Sequence, residues 1–262
     1  MSVVFVHQSA VHYESLGRGR PVVFLHGWIG TWRYWVPAMQ QASVSHSSYA
    51  LDLLGFGDTA RDPSGYSLEG QARMVQGFLD EMGIERIAIV GHGLGALAGL
   101  LIAAREPARV DRMLGVAVPL DPRTIDPRIH SATHGELLAL LGGPAARADE
   151  LRPTSPAVDP QALRVSLDPD QISAALGVVC EAAIPCLLIY GGSDPLLRPP
   201  LPGSSISMCT NVHQVLLEGS GHFPMLDAAD TFNRMLIDFL ALERGASPRS
   251  IRPKEEWRRR MR

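Results

Sequence analysis

No apolar run in this chain is long enough to cross a membrane. The longest nearly unbroken one, Leu94 to Ala104, has 11 residues, against the roughly 18 to 20 that a bilayer span needs, so no transmembrane helix is expected. Cysteine is scarce: Cys180, Cys186 and Cys209 include no C-x-x-C pair and cannot all pair with one another, which argues against a disulfide scaffold or zinc ribbon and for reduced thiols. The N-terminus, MSVVFVHQSA, has no basic lead and reaches His7 and Gln8 after four apolar residues. It does not read as a signal peptide, and a cytoplasmic location is expected. Internal repeats are missing too. Excess positive charge is confined to the end, where Arg244 to Arg262 carry eight Lys/Arg against Glu255 and Glu256. Such a tail could touch an anionic partner, but it reads as a solvated, frayed extension, so neither a nucleic acid nor a membrane is expected as partner.

What is present is apolar. With 46% hydrophobic and 19% charged residues, the chain can bury a large core and is too apolar for a disordered protein. Apolar runs of strand length alternate with helical patterns. The runs are continuous, as in strands buried on both faces of a sheet, which makes this an α/β chain. Strands are expected at Val3–His7, Val11–Ser15, Val22–His26, Tyr49–Leu53, Ile87–Val90, Met113–Val118, Leu187–Tyr190 and Gln214–Leu217. Ser67 caps a helix whose Leu68, Ala72, Val75, Leu79 and Met82 fall at helical spacing, and Gly83 ends it. Leu94–Arg105 is a second helix. A last one starts near Asp227 and turns Phe232, Met235, Leu236, Phe239 and Leu240 inward. The first two strands precede any helix, so they form an antiparallel hairpin leading into a mostly parallel, doubly wound sheet. From Pro119 to Ile184 no strand pattern appears, only short helical patterns at Gly135–Leu141 and Pro160–Cys180. An insertion there would lie as a lid over the carboxyl ends of the strands, where open α/β sheets bind ligands.

Five local patterns fall at those carboxyl ends: His26-Gly27-Trp28, Asp52-Leu53-Leu54-Gly55-Phe56-Gly57, Gly91-His92-Gly93-Leu94-Gly95, Gly191-Gly192-Ser193-Asp194 and Gly219-Ser220-Gly221-His222. Taken in this order, each beside a strand, they resemble the α/β-hydrolase superfamily from Val3 to Leu242. The resemblance implies an eight-stranded core made of residues 1–118 and 185–243, a cap insertion at 119–184 and a basic tail at 244–262. It also implies roles. The family's nucleophile occupies the centre of G-x-S-x-G on a strained strand-to-helix turn, and here that position is Gly93, which has no side chain and cannot carry an acyl group. Ser193 and Ser220 sit on no such elbow and do not replace it. Asp194 matches the family's acid and His222 its base, with Asp121 in the alternative acid position. The backbone N–H groups of Trp28 and Leu94 match the oxyanion-hole donors, which need no serine side chain.

Around these, His26, Gly27, Trp32, His92 and Phe223 are the expected pocket residues. His26 in the oxyanion loop fits a structural role, and His92 beside the elbow fits a buried one. Trp28, Trp32 and Trp35, at steps of four and three, line an apolar pocket or pack one helix face; spacing alone leaves both open. His130 and His134 stand four apart without the H-E-x-x-H carboxylate, and no helix follows Gly17-Arg18-Gly19 to make a phosphate loop. No metal and no cofactor are expected, and the partner is a small-molecule substrate. Three readings of the missing hydroxyl remain. The chain is an enzyme without a covalent intermediate, its Asp194–His222 dyad moving protons in cyclisation, lysis or hydrolysis of a small, largely apolar substrate. Or it is an ester, thioester or lactone serine hydrolase whose nucleophile was replaced by an engineered Gly93, to be revived by Gly93→Ser. Or it is a non-catalytic binder. In the first case, the space beside Gly93 is expected to hold a water or a substrate group.

Overall fold

A computed structural model describes residues 2–120, 122–141, 158–168, 170, 184–201, 203–243 and 246–253. Eight strands form one sheet in the order β1-β2-β4-β3-β5-β6-β7-β8: β1 Ser2–Val6, β2 Ser9–Leu16, β3 Arg20–Leu25, β4 His46–Leu51, β5 Ile87–His92, β6 Val110–Val116, β7 Cys186–Gly191 and β8 Val212–Leu217. Every expected strand is present, each shifted by a few residues. β1 and β2 form the expected antiparallel hairpin, β2 pairs antiparallel with β4, and β3 to β8 run parallel. Side-chain character decides position in the sheet. All six residues of β5 and of β7 are buried, whereas edge strand β1 alternates and leaves Val3 and Phe5 exposed.

The hairpin turns on His7 and Gln8, both in the left-handed region at φ 46° and 74°. Two such residues in succession make the tight turn that suits the strand twist, for which Asn-Gly is the natural pair, and each non-glycine there costs about 1–2 kcal/mol. Replacing His7-Gln8 by Asn-Gly is therefore expected to stabilise the fold by about 1 kcal/mol, read as a Tm higher by about 2–4 °C.

Helices cover the sheet. α1 spans Val36–Ala42, α2 Leu68–Glu81 and α3 Leu94–Arg105, with α4 His134–Leu141, α5 Pro160–Ser166 and α6 Ala229–Leu240 following. Ser67 Oγ caps α2 by accepting from the Gly70 N–H at 3.0 Å, and Gly83 at φ 63° ends it. α6 buries the five apolar residues its spacing indicated. Among the described residues between Pro119 and Ile184 there is no strand, only a bridge from Ile125 to Leu197. Residues 142–157 and 171–183, much of the expected Pro160–Cys180 pattern, lie outside the described residues, as do Asp121 and most of the basic tail.

The chain leaves β3 for one side of the sheet, to β4, and returns on the other side at β5. The crevice outside the carboxyl ends of β3 and β5 is thus the topological switch point, where open α/β sheets place their ligands. No helix among the described residues is long and apolar enough to cross a membrane. The cysteine expectation needs correction. Cys186 is a free buried thiol, which burial pushes up to about 12, but Cys209 is disulfide-bonded, because pairing follows proximity in the fold rather than C-x-x-C spacing.

Candidate active site

Asp194 and His222 come from the loops after β7 and β8. The Ser193 N–H donates to the Ser220 carbonyl at 2.8 Å, and the Gly221 N–H to Asp227 Oδ2 at 2.6 Å, so each loop is held by main-chain donors. His222 Nδ1 lies 2.7 Å from Asp194 Oδ2, with side-chain exposures of 3% and 1%. The second carboxylate oxygen, Oδ1, accepts from the N–H groups of Leu196 and Leu197 at 2.9 and 3.1 Å. Burial by itself would raise the Asp194 carboxyl, but the His222 charge and hydrogen bond, with the two N–H groups, outweigh it and hold Asp194 below the usual carboxylate range. Asp194 is therefore an anion that holds the His222 Nδ1–H and leaves Nε2 free to exchange a proton.

Gly93 sits between β5 and α3 at φ 47°, ψ −111°, a backbone that favours glycine. Its N–H donates to the Val116 carbonyl at 3.0 Å, and the Gly95 N–H to the His26 carbonyl at 3.1 Å. A Cβ on Gly95 would stand 2.5 Å from the Leu25 carbonyl oxygen, so the close approach of elbow and oxyanion loop requires glycine there. Among the described residues the Trp28 and Leu94 N–H groups donate to no protein acceptor.

The space beside Gly93 is not empty. A Cβ built there would lie 2.8 Å from Cζ3 and 3.0 Å from Cε3 of the Trp28 ring. Trp28 is buried, and its Nε1–H donates to Ser166 Oγ at 3.1 Å, at the end of α5. The indole thus runs from the elbow to α5 and fills the volume that was expected to hold water or a substrate group. Two further hydrogen bonds join α5 to the core, from Tyr66 Oη to Asp159 Oδ2 at 2.7 Å and from the Asp159 N–H to the Gly55 carbonyl at 2.8 Å.

The other expected pocket residues take different places. His26 is fully buried with both nitrogens engaged: Nδ1 donates to the Gly27 carbonyl at 2.8 Å and Nε2 accepts from the Leu53 N–H at 2.9 Å. It clamps the loops after β3 and β4. His92 ends β5 with its ring centroid 4.7 Å from that of His222, and Phe223, fully buried, stands edge-on 5.2 Å from His222. Trp32 packs against His12 and Trp35 against Phe24 and Phe232, so the three tryptophans line no common pocket. Sequence reasoning missed Tyr34 and Ser166. The only signal for Tyr34 was its place one turn after Gly30 in an aromatic run, and nothing local marked Ser166.

His130 and His134 do not share a helix, because one ends at Ser131 before α4 begins. Among the described residues the grouping with metal-like spacing is His12, Asp52 and Asp58. There His12 Nδ1 lies 2.9 Å from Asp52 Oδ2, and the Asp52 carboxylate also accepts from the N–H groups of Trp32 and Asp58. With those oxygens already engaged, the group is a buried ion pair. Burial opposes both charges, but the mutual contact wins, raising His12 above 6.5 and lowering Asp52 below 3.8. A raised histidine stabilises fully below its unfolded value and loses this as pH climbs through its folded one. A lowered carboxylate stabilises above its unfolded value and loses this as pH falls. The stability difference between wild type and His12→Leu in denaturant titrations is accordingly expected to be largest between roughly pH 4 and 6.5 and to shrink on either side.

Known proteins share this fold. The family model described as "Alpha/beta hydrolase family" matches residues 22–235. A protein named as a carbamate hydrolase, RutD, of Stutzerimonas stutzeri strain A1501 is 30% identical over 90% of this chain and 98% of its own. A pimeloyl-[acyl-carrier protein] methyl ester esterase of Vibrio parahaemolyticus is 26% identical over 87% and 97%. Among solved structures, a meta-cleavage product hydrolase of Pseudomonas fluorescens IP01, a serine-to-alanine mutant with acetates, superposes with a TM-score of 0.77 at 20% identity, covering 92% of this chain and 97% of that one.

Proposed function

The chain belongs to the alpha/beta hydrolase family, and from that premise we propose that it hydrolyses a small, largely apolar and hydrolytically labile acyl compound without a covalent enzyme intermediate. His222, held by Asp194, takes a proton from the attacking water through Nε2 and returns it to the leaving group. The N–H groups of Trp28 and Leu94 hold the negative charge that develops on the carbonyl oxygen, the latter at the N-terminus of α3. The single observation that carries this reading is the indole of Trp28 against Gly93. A glycine that accommodates a packed ring is a fitted part of the site, which speaks against a serine simply deleted from a working triad. Carbamates are one substrate class that suits the scheme, and the relative spanning 98% of its own length bears that name. In a carbamate ester, attack of that water on the carbonyl with return of the proton to the leaving alkoxide gives an alcohol and a carbamic acid, which breaks down to amine and carbon dioxide, and only a positioned acid–base group is needed.

The test is single turnover of activated carbamates and esters in ¹⁸O-water. Product formation without a burst, label in the released acid and an unchanged protein mass are expected. An acyl adduct on the protein, or ¹⁸O retained in a side-chain carboxylate, overturns the reading.

A further inference from the structure

Behind His222 lies a chain of polar contacts that the scheme above does not use. The Gly27 N–H donates to Tyr34 Oη at 2.7 Å, and Tyr34 Oη is 3.0 Å from His92 Nδ1. With Oη accepting from Gly27, the Tyr34 O–H is free to donate to Nδ1, and a neutral imidazole that accepts at Nδ1 carries its proton on Nε2. That Nε2 is buried, and the His92 ring also meets the main chain of His222. The ring is fully buried, 4.7 Å from His222 and 5.0 Å from Phe223, and Tyr34 stands edge-on to Phe223 at 5.7 Å. Gly27 has no room for a side chain, because a Cβ would meet His92 Nδ1 at 2.9 Å. A continuous packed path therefore joins the oxyanion loop to the base loop through the residue that precedes the elbow.

The ionisable groups facing His92 are Tyr34 from the turn before α1, His26 from the loop after β3 and His222 from the loop after β8, with Asp52 behind the first two and Asp194 behind the last. Burial, then the neighbouring His222, pushes His92 well below the histidine range, and burial pushes the Tyr34 phenol well above its own. His26 has both nitrogens on the main chain.

We propose that Tyr34 and His92 are positioning residues: the Tyr34 hydroxyl fixes His92 as its neutral Nε2–H tautomer, and the pair locks the Gly27–Trp28 loop against His222, which remains the proton-exchanging imidazole among the described residues of this cluster. This rests on His222 being the base, but its test does not. The ¹⁵N spectra of the imidazoles of the wild-type protein should show His92 as the Nε2–H form, unchanged from pH 5 to 9. Tyr34→Phe and His92→Phe, which remove the donor or the acceptor but keep a ring, should shift or broaden the downfield proton of the His222–Asp194 hydrogen bond. Both should lower kcat on the activated carbamates by about 10- to 100-fold at unchanged KM. His92→Asn places an acceptor where Nδ1 was and should restore the downfield proton and most of kcat. The proposal is overturned if His92 titrates in the wild-type protein over that range, if Tyr34→Phe leaves the spectra and kcat unchanged, or if His92→Asn is as impaired as His92→Phe. Failure of the base assignment looks different: His222→Ala would keep its turnover while the His92 tautomer still followed Tyr34.

Discussion

A serine introduced at position 93 is expected to lower the Tm by about 5–15 °C and to give no measurable turnover of p-nitrophenyl acetate, until Trp28 is shortened in the same chain. The elbow backbone at φ 47° strains any residue with a Cβ, by about 1–3 kcal/mol. The Cβ would also meet the Trp28 ring at 2.8 Å, and overpacking of a buried site costs about 1–3 kcal/mol more. The indole cannot swing aside freely, since its Nε1–H is held by Ser166 and the ring is 3% exposed. A serine side chain that did fit would be pushed by the ring out of the position from which His222 could take its proton. Gly93→Ser combined with Trp28→Leu removes the obstacle and keeps the backbone N–H of residue 28. The double variant should therefore hydrolyse the ester at least about tenfold faster than Gly93→Ser alone, with the dyad acting as base for a true nucleophile. A single variant that melts with the wild type and matches the double variant in turnover would show that the indole yields without cost, and the fitted role of Gly93 would fall.

That obstacle was invisible in the sequence, whereas the scaffold around it was legible. Continuous apolar runs such as Ile87–Val90 and Leu187–Tyr190 mark central strands because both faces are buried, and their positions survive any detail of packing. Asp194 and His222 were legible because short polar turns at strand ends in a set order carry the resemblance. Two things were not. Trp28 was read through its backbone N–H and as one of three spaced tryptophans, and neither reading gave the direction of its ring, which depends on α5, 138 positions away through Ser166. Tyr34 and His92 looked like an aromatic run and a buried histidine, since their shared hydrogen bond spans 58 positions. Local pattern specifies elements and loop chemistry. Which side chain fills a cavity between two distant elements is decided only when both are placed.

Replacing Asp194 by Asn should lower kcat/KM on whichever labile carbamate or ester is turned over by about 10⁴-fold, while leaving the fold nearly as stable as before. Asp194 Oδ1 accepts from the Leu196 and Leu197 N–H groups, and Oδ2 accepts from His222 Nδ1. In the amide variant the carbonyl oxygen must stay on the two N–H donors, because turning it over would face an NH₂ group with two more N–H groups. The NH₂ is then aimed at His222 Nδ1 and donates to it. A neutral ring accepting at Nδ1 carries its proton on Nε2, the atom that has to take the proton from water. The base is present and in place, but in the wrong tautomer. His222→Ala should cost at least as much, since it removes the proton acceptor altogether, and the two substitutions should not add in the double variant because they disable one unit. Kinetics of the three variants beside their melting curves make the check: Asp194→Asn within tenfold of wild type at an unchanged Tm would mean that the carboxylate does not set the tautomer of the working base, and the dyad would lose its place in the reaction.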